Sequence, residues 1–362
     1  MTLDLDTLRR WPDFEAPELR AWDAADTLIL DEAAPLLQGA EATVIGDDYG
    51  ALTLGALAAG ARRVLVHQDS LAGEFALRAN GEGDYESLPL EPGLVDGARL
   101  VLLRLPRSLA ALDEIAALIA SHAAPDVTVI AGGRIKHMTL GMNEVLLRHF
   151  GRLDVSLARQ KSRLLIAREP IEGTVVEPQR RYHDELGLWV VATGGVFAGT
   201  GIDIGTRALL EVLDRVPDYS RAIDLGCGTG LLAARLAQLR PAAGVLASDQ
   251  SAAACASARL AMEANGLDVT VTRDDALASE PPASADLVVT NPPFHSGAAV
   301  DSRSAQKLFA GAARVLKPGG ELWAVWNSHL AYRPTLVSLV GPTREISRNS
   351  KFTVTASIRG TQ

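Results

Sequence analysis

Arg221-Ala-Ile-Asp-Leu-Gly-Cys-Gly-Thr-Gly-Leu-Leu-Ala-Ala-Arg-Leu-Ala-Gln-Leu239 is the stretch that decides the fold. A short apolar run leads into alternating glycines and then into an alanine- and leucine-rich segment, which is how a strand, a tight turn and a helix read in a βαβ unit. Gly226, Gly228 and Gly230 fall where the backbone must turn sharply and where a missing side chain lets a ligand approach the main chain. The spacing excludes the dinucleotide fingerprint G-x-G-x-x-G, whose third glycine would stand at Leu231; Gly230 arrives one residue early.

Outward from this stretch the same alternation recurs. Candidate strands are Arg221–Leu225, Ala243–Ser248, Val269–Arg273, Leu287–Thr290, Glu321–Trp326 and Phe352–Ile358 in the second half. In the first half they are Thr27–Leu30, Ala42–Gly46, Arg63–His67, Leu100–Leu103, Val127–Ala131 and Leu164–Ala167. Alanine-rich helical stretches separate them, which predicts α/β architecture around mostly parallel sheets. The halves also read as degenerate copies. Val64-Leu-Val-His-Gln-Asp69 with Arg78-Ala-Asn-Gly81 parallels Val245-Leu-Ala-Ser-Asp249 with Glu263-Ala-Asn-Gly266, and Val44-Ile-Gly-Asp-Asp-Tyr-Gly50 parallels Asp224-Leu-Gly-Cys-Gly-Thr-Gly230. The polar, proline-bearing segment after Arg168 reads as a linker over 169–185, between domains at 1–168 and 186–362.

The 362 residues are 48% apolar, 22% charged and 5% aromatic, a globular composition of two-domain size. No uninterrupted run of 18 apolar residues occurs, and the start, Met1-Thr2-Leu3-Asp4-Leu5-Asp6, is acidic where a secretory signal is basic, so a cytoplasmic, unanchored protein is expected. Two cysteines, Cys227 and Cys255, and seven scattered histidines offer no metal-ligand spacing, so no metal site is expected. The net charge of −9 is wrong for a chain that holds nucleic acid over its whole surface, so a nucleic-acid role needs a local patch.

The D-x-G-x-G-x-G pattern with an acidic residue at the end of the next strand resembles the S-adenosylmethionine loop of class I methyltransferases. That resemblance makes Asp224, Gly226, Gly228 and Gly230 cofactor-binding and gives Asp249 the ribose, whose two hydroxyls a carboxylate can accept. Asp275, in Asp274-Asp275-Ala-Leu277, falls where this superfamily often contacts the adenine amine. Asn291-Pro-Pro-Phe294 follows the strand Ala285–Thr290 and resembles the N/D/S-P-P-Y/F/W motif of amino-group methyltransferases. An amine on a base has its lone pair delocalised into the ring and is a poor nucleophile. Two acceptors aimed at its N–H groups draw the nitrogen towards tetrahedral geometry and stabilise developing positive charge. The Asn291 side-chain oxygen and the Pro292 carbonyl fill that role, Pro293 stiffens the loop, and Phe294 offers a face for a flipped base.

His295 extends the motif. Together with Gly194-Gly-Val-Phe197, Gly201-Ile-Asp-Ile-Gly205, Lys317-Pro-Gly-Gly-Glu-Leu322 and Trp326-Asn-Ser-His-Leu330, it makes the chain similar to the bacterial ribosomal RNA guanine-N2 methyltransferases. The resemblance implies two tandem Rossmann-like class I methyltransferase domains, the second with a seven-stranded, mostly parallel sheet. It also implies one S-adenosylmethionine, held by the second domain, and a first domain that binds or supports RNA. It places Phe197 and Asp203 against the methionine end of the cofactor. Asn327-Ser-His-Leu-Ala-Tyr-Arg333, Asn349-Ser-Lys-Phe352 and Asp48-Tyr-Gly-Ala-Leu52 look more like the members acting on 23S than on 16S rRNA. Arg134, Lys136, Arg148, Arg152, Arg159, Lys161 and Arg163 form the candidate basic patch for rRNA, and a monomer is expected. The competing readings are N5-glutamine methylation of a release factor, whose delocalised amide needs the same chemistry, and a non-catalytic RNA-binding assembly factor retaining the fold.

Overall fold

The computed structural model describes residues 3–171, 173, 176–292 and 298–360. It separates into two compact units that divide between Glu177 and Pro178. The first contains α1 (Ala24–Leu37), β1 (Glu41–Ile45), α2 (Ala51–Ala58), β2 (Arg63–His67), α3 (Leu71–Asn80), β3 (Tyr85–Ser87), α4 (Pro92–Val95), β4 (Leu100–Arg104), α5 (Leu109–His122), β5 (Thr128–Arg134), α6 (Leu140–His149), β6 (Phe150–Val155) and β7 (Ser162–Pro170). The second contains β8 (Gln179–His183), β9 (Leu188–Ala192), α7 (Ile204–Leu210), β10 (Arg221–Leu225), α8 (Leu231–Leu239), β11 (Gly244–Asp249), α9 (Ala252–Asn265), β12 (Thr270–Arg273), β13 (Ala285–Thr290), α10 (Ala298–Val315), β14 (Leu316–Asn327), α11 (Arg333–Leu339), β15 (Thr343–Arg348) and β16 (Phe352–Ile358).

Each unit is built on a seven-stranded sheet, and the two orders are the same. The first runs β3-β2-β1-β4-β5-β7-β6 and the second β12-β11-β10-β13-β14-β16-β15. In both, the next-to-last strand, β7 or β16, runs antiparallel to each of its neighbours, and the other pairings are parallel. The duplication expected from the sequence is thus a duplication of topology. It extends to a small docking device: Asn265, closing α9, accepts from the Trp189 amide and donates to the Trp189 carbonyl, both at 2.8 Å. Asn80, closing α3, does the same with the amide and carbonyl of Arg9, again at 2.8 Å. The two Ala-Asn-Gly triplets therefore each tie an upstream segment to the helix that follows the second strand of the sheet.

Helices cover both faces of each sheet, so the central strands are buried on both sides. Ala222 belongs to the core on one face of the second sheet, and Ile223 and Leu225 to the core on the other. Val44 and Ile45 divide in the same way across the first. Two-sided burial is why these strands read as continuous apolar runs rather than alternating ones. Each such Val, Ile or Leu contributes roughly 1.5–3 kcal/mol by leaving water.

Three differences from the sequence reading stand out, the first two with a physical cause. Thr27–Leu30 lies inside α1 and is not a strand. Asp23 caps that helix through the Ala25 amide while Asp26 accepts from the Asp23 amide, a reciprocal cap that outweighs the β-propensity of a four-residue apolar run. β3, β6 and β15 were not anticipated; β3 and the largely exposed β6 and β15 are edge strands of three to six residues, without an apolar face to announce them. Within the expected linker 169–185, β7 runs on to Pro170 and β8 begins at Gln179, pairing with β9 as a two-stranded hairpin.

Candidate active site

The carboxyl ends of β10, β11 and β13 meet where the strand order reverses, the place where open α/β sheets bind ligands. Leu225 pairs with Ser248 on one side and Thr290 on the other, so Gly226, Asp249 and Asn291 each stand one residue further on. The sheet register therefore brings the glycine loop, the ribose candidate and the catalytic candidate to one edge.

Within the loop the three glycines do different work. All have positive φ, +75° at Gly226, +52° at Gly228 and +77° at Gly230. A Cβ on Gly230 would lie 2.9 Å from Met262 Cε and 3.1 Å from Ala258 Cβ, so this glycine lets the start of α8 pack on α9. A Cβ on Gly226 or Gly228 would meet nothing within 4 Å. Those two face open space, as a cradle for a ligand requires.

Two carboxylates frame the cradle. Asp249 accepts from the Gly228 amide at 3.0 Å and from the Ser251 amide at 2.9 Å, which fixes its rotamer beside the loop. Asp224 is fully buried; one oxygen accepts from the Ala233 amide at 2.9 Å, and the other has no hydrogen-bond partner among the described residues. Burial pushes its carboxyl up to about 7, and the nearby charge of Asp249 adds to the shift against the Ala233 bond. A buried acceptor left unpaired is costly, and a ligand bearing N–H or positive charge would relieve it. An open cradle, an orphaned acceptor and a fixed carboxylate fit S-adenosylmethionine.

Asp275, the adenine candidate, and its neighbour Asp274 make different contacts. Asp274 is consumed by its own turn, accepting from the amides of Asp275 and Ser279 and from the Ser279 hydroxyl. Asp275 forms an ion pair with Lys307 of α10. Phe197 is 59% exposed in the loop between β9 and α7, next to Val196, which packs on Ala254 of α9.

At Asn291 the geometry is specific. The Asn291 amide nitrogen donates to Asp203 Oδ2 and to Thr206 Oγ1, both at 3.0 Å. An ionised carboxylate only accepts, so the NH2 end must face Asp203 and the carbonyl end must face away. That oxygen, Oδ1, is buried and has no partner among the described residues. Gly205 makes room for it, since a Cβ there would lie 2.9 Å from Oδ1. Asp203 also caps α7 through the amides of Gly205 and Thr206. These contacts are with the helix and Asn291, a different set from the cofactor contact the sequence reading gave Asp203. Pro292 is buried behind Asn291; Pro293, Phe294 and His295 lie outside the described residues.

The families that match this chain divide as the structure does. A methyltransferase small domain matches residues 187–356 and an RLMG N-terminal domain matches residues 2–170. A ribosomal RNA large subunit methyltransferase G from Streptomyces avermitilis is 36% identical over 97% of this chain and 96% of its own length. The protein of that name from Pseudomonas aeruginosa is 34% identical over 97% and 96%. The chain belongs to the ribosomal RNA large subunit methyltransferase G family. Among solved structures, a T. thermophilus 16S rRNA N2 methyltransferase in complex with AdoMet and guanosine shares the fold over 99% of this chain and all of its own, with a TM-score of 0.78 at 23% identity.

In this family member the first unit keeps the scaffold and replaces the groups. The register that aligns Ile45 with His67 and with Leu103 puts Gly46, Gln68 and Arg104 at the positions of Gly226, Asp249 and Asn291. Gly50 retains the packing role of Gly230, its absent Cβ lying 2.9 Å from Leu77 Cδ1. The cradle position of Gly228 is taken by Asp48. Gln68 donates to the Asp47 carbonyl at 2.7 Å where Asp249 accepts from the loop. Arg104 is held by Asp23 at 2.7 Å and by Asp26, the cap and third residue of α1, as Asn291 is held by the cap and third residue of α7. Guanidinium offers only donors, so the Arg104 side chain gives no acceptor for an amine.

Sequence reasoning missed Thr206 and Gly205 as parts of the site. The signal was present as an Asp-x-x-Thr spacing at a helix start, which reads as a cap and nothing more.

Proposed function

We propose that the second unit of this chain transfers a methyl group from S-adenosylmethionine to the exocyclic N2 amine of a guanine in 23S rRNA. The observation that carries this is the Asn291 carbonyl oxygen, buried, unpartnered among the described residues and oriented by Asp203 and Thr206 at the carboxyl end of β13. An acceptor so placed has no use for a substrate without N–H. The family name supports large-subunit rRNA as the source of that amine. In the proposed arrangement Gly226 and Gly228 take the cofactor against the backbone, Asp249 accepts the ribose hydroxyls, and Asp224 accepts from the methionine end. Asp275 stands by the adenine. The cofactor supplies an electrophilic sulfonium methyl. The protein's own part is to hold the amine with Asn291 Oδ1 and the Pro292 carbonyl, so that positive charge developing on nitrogen is stabilised without a strong base. Mapping of N2-methylguanosine in rRNA from cells lacking the gene tests this: loss of one such residue from 23S rRNA supports the reading, and an unchanged pattern contradicts it.

We infer that the first unit binds no cofactor. Asp48 in the cradle, Gln68 at the ribose position and Arg104 in the catalytic slot support this. Calorimetric titration should give one S-adenosylmethionine per chain; two would overturn it.

The rRNA face is inferred to lie on the first unit and to be narrower than the sequence suggests. Arg148 pairs with Asp113, Arg152 and Arg168 with Asp154, and Arg159 with Asp31. Arg134, Lys136 and Lys161 have no carboxylate partner among the described residues, and Arg107 joins them from the loop after β4. Burial and the positive charges of Arg107, Lys136 and Arg134 hold the His137 imidazole below its ordinary value, against the charge of Asp23. Exchanging Arg107, Lys136 and Lys161 for Glu should weaken rRNA binding. If all three contact phosphates, the slope of log affinity against log salt should fall by about two units. An unchanged slope would move the RNA face elsewhere.

A further inference from the structure

We propose that Asp203 and Thr206 are positioning residues for methyl transfer, which set the direction of the Asn291 carbonyl by taking both of its amide N–H groups. The inference rests on Asn291 being the acceptor for the substrate amine. An asparagine amide has two ends of similar size, and a rotation of half a turn about its last side-chain bond exchanges donor for acceptor. With the NH2 end towards the substrate, the residue would present donors to a group that itself donates, and the motif would be useless. Asp203 Oδ2 and Thr206 Oγ1, each 3.0 Å from the amide nitrogen, favour one of the two orientations. The reverse orientation would set the amide oxygen against the Asp203 carboxylate.

Three further observations support a positioning role over a helix cap alone. First, Asp203 is already satisfied as a cap by the amides of Gly205 and Thr206 at 2.9 and 3.3 Å, and the contact with Asn291 is additional, made by the same oxygen across 88 residues of sequence. Second, Gly205 lies between the two positioning residues, where any Cβ would press on the amide at 2.9 Å from Oδ1 and 3.2 Å from Nδ2. Third, the first unit uses the same two helix positions, Asp23 and Asp26, to hold the side chain at the end of its corresponding strand, Arg104. There the helix start clamps a donor-only group with two carboxylates. In the second unit it clamps an amide and leaves the acceptor end over.

The clamp is tested without removing the cap. Thr206→Val keeps shape and loses the acceptor, and Thr206→Ser keeps the acceptor. Asp203→Ser leaves a capping hydroxyl and removes the carboxylate. Thr206→Val should lower kcat about tenfold, the effect of one hydrogen bond on the transition state, while the dissociation constant for S-adenosylmethionine stays within twofold. Thr206→Ser should recover most of that loss, and Asp203→Ser should lose at least as much as Thr206→Val. The decisive readout is a double-mutant cycle: in an Asn291→Ala background, Thr206→Val should cost nothing further, because the residue acts through the amide. Full additivity would assign Thr206 a separate structural role. A cofactor dissociation constant that rises in step with the loss of kcat would make Asp203 a cofactor ligand. Unchanged kcat in both single variants, with Asn291→Ala inactive, would also overturn the clamp, whereas an active Asn291→Ala enzyme would instead remove the reading on which it rests.

Discussion

Asn291→Ala should lower kcat by about 10²–10³-fold and leave the affinity for S-adenosylmethionine within a few-fold of the native value, since removing one preorganised partner of the transition state costs about that much. The separation follows from where the side chain goes. Its amide nitrogen is spent on Asp203 and Thr206 and its oxygen has no partner among the described residues, so no bond from Asn291 to the glycine loop is lost. The variant also leaves Asp203 as the cap of α7, so the fold should hold. Measurement of kcat alongside calorimetric binding of the cofactor checks both halves. Loss of cofactor binding in this variant would mean that the two sites are not separate.

Asp249→Ala should do the reverse. It should weaken cofactor binding about 10–100-fold, the loss of one hydrogen bond to a charged group at about 1.5–3 kcal/mol. Part of the effect is indirect. Asp249 holds the Gly228 amide at 3.0 Å and thereby the open side of the cradle, so the loop loses its internal tie together with the ribose contact. At saturating cofactor, kcat should recover to within a few-fold, because nothing at Asn291 has changed. A variant that bound the cofactor normally would remove Asp249 from the site.

The sequence showed the second unit more clearly than the first, for reasons that lie in the residues. β2, β10 and β16 occupy the expected Arg63–His67, Arg221–Leu225 and Phe352–Ile358, the first two around short apolar runs and the last as an alternation of apolar residues with Thr353, Thr355 and Ser357. β6 and β15 sit at sheet edges with largely exposed side chains, and α1 reads locally as a strand because Thr-Leu-Ile-Leu outweighs its flanks until the Asp23–Asp26 cap is seen. Of the candidate site, the sheet register brings Gly226, Asp249 and Asn291 to one edge as their spacing after strands implied. Spacing could not show that Asp203, 88 residues before Asn291, would orient its amide. Nor could it show that four of the basic residues between 134 and 168 form ion pairs with Asp31, Asp113 and Asp154, since ion pairing across a fold leaves no local trace.

The most direct test of the account is transfer of a labelled methyl group from S-adenosylmethionine by the whole chain to 16S and 23S rRNA from cells lacking the gene, each naked and within its subunit, with the labelled nucleoside identified. The account predicts N2-methylguanosine in 23S rRNA alone, one per molecule. Label in neither rRNA while the cofactor still binds, or label on any other atom, would contradict it.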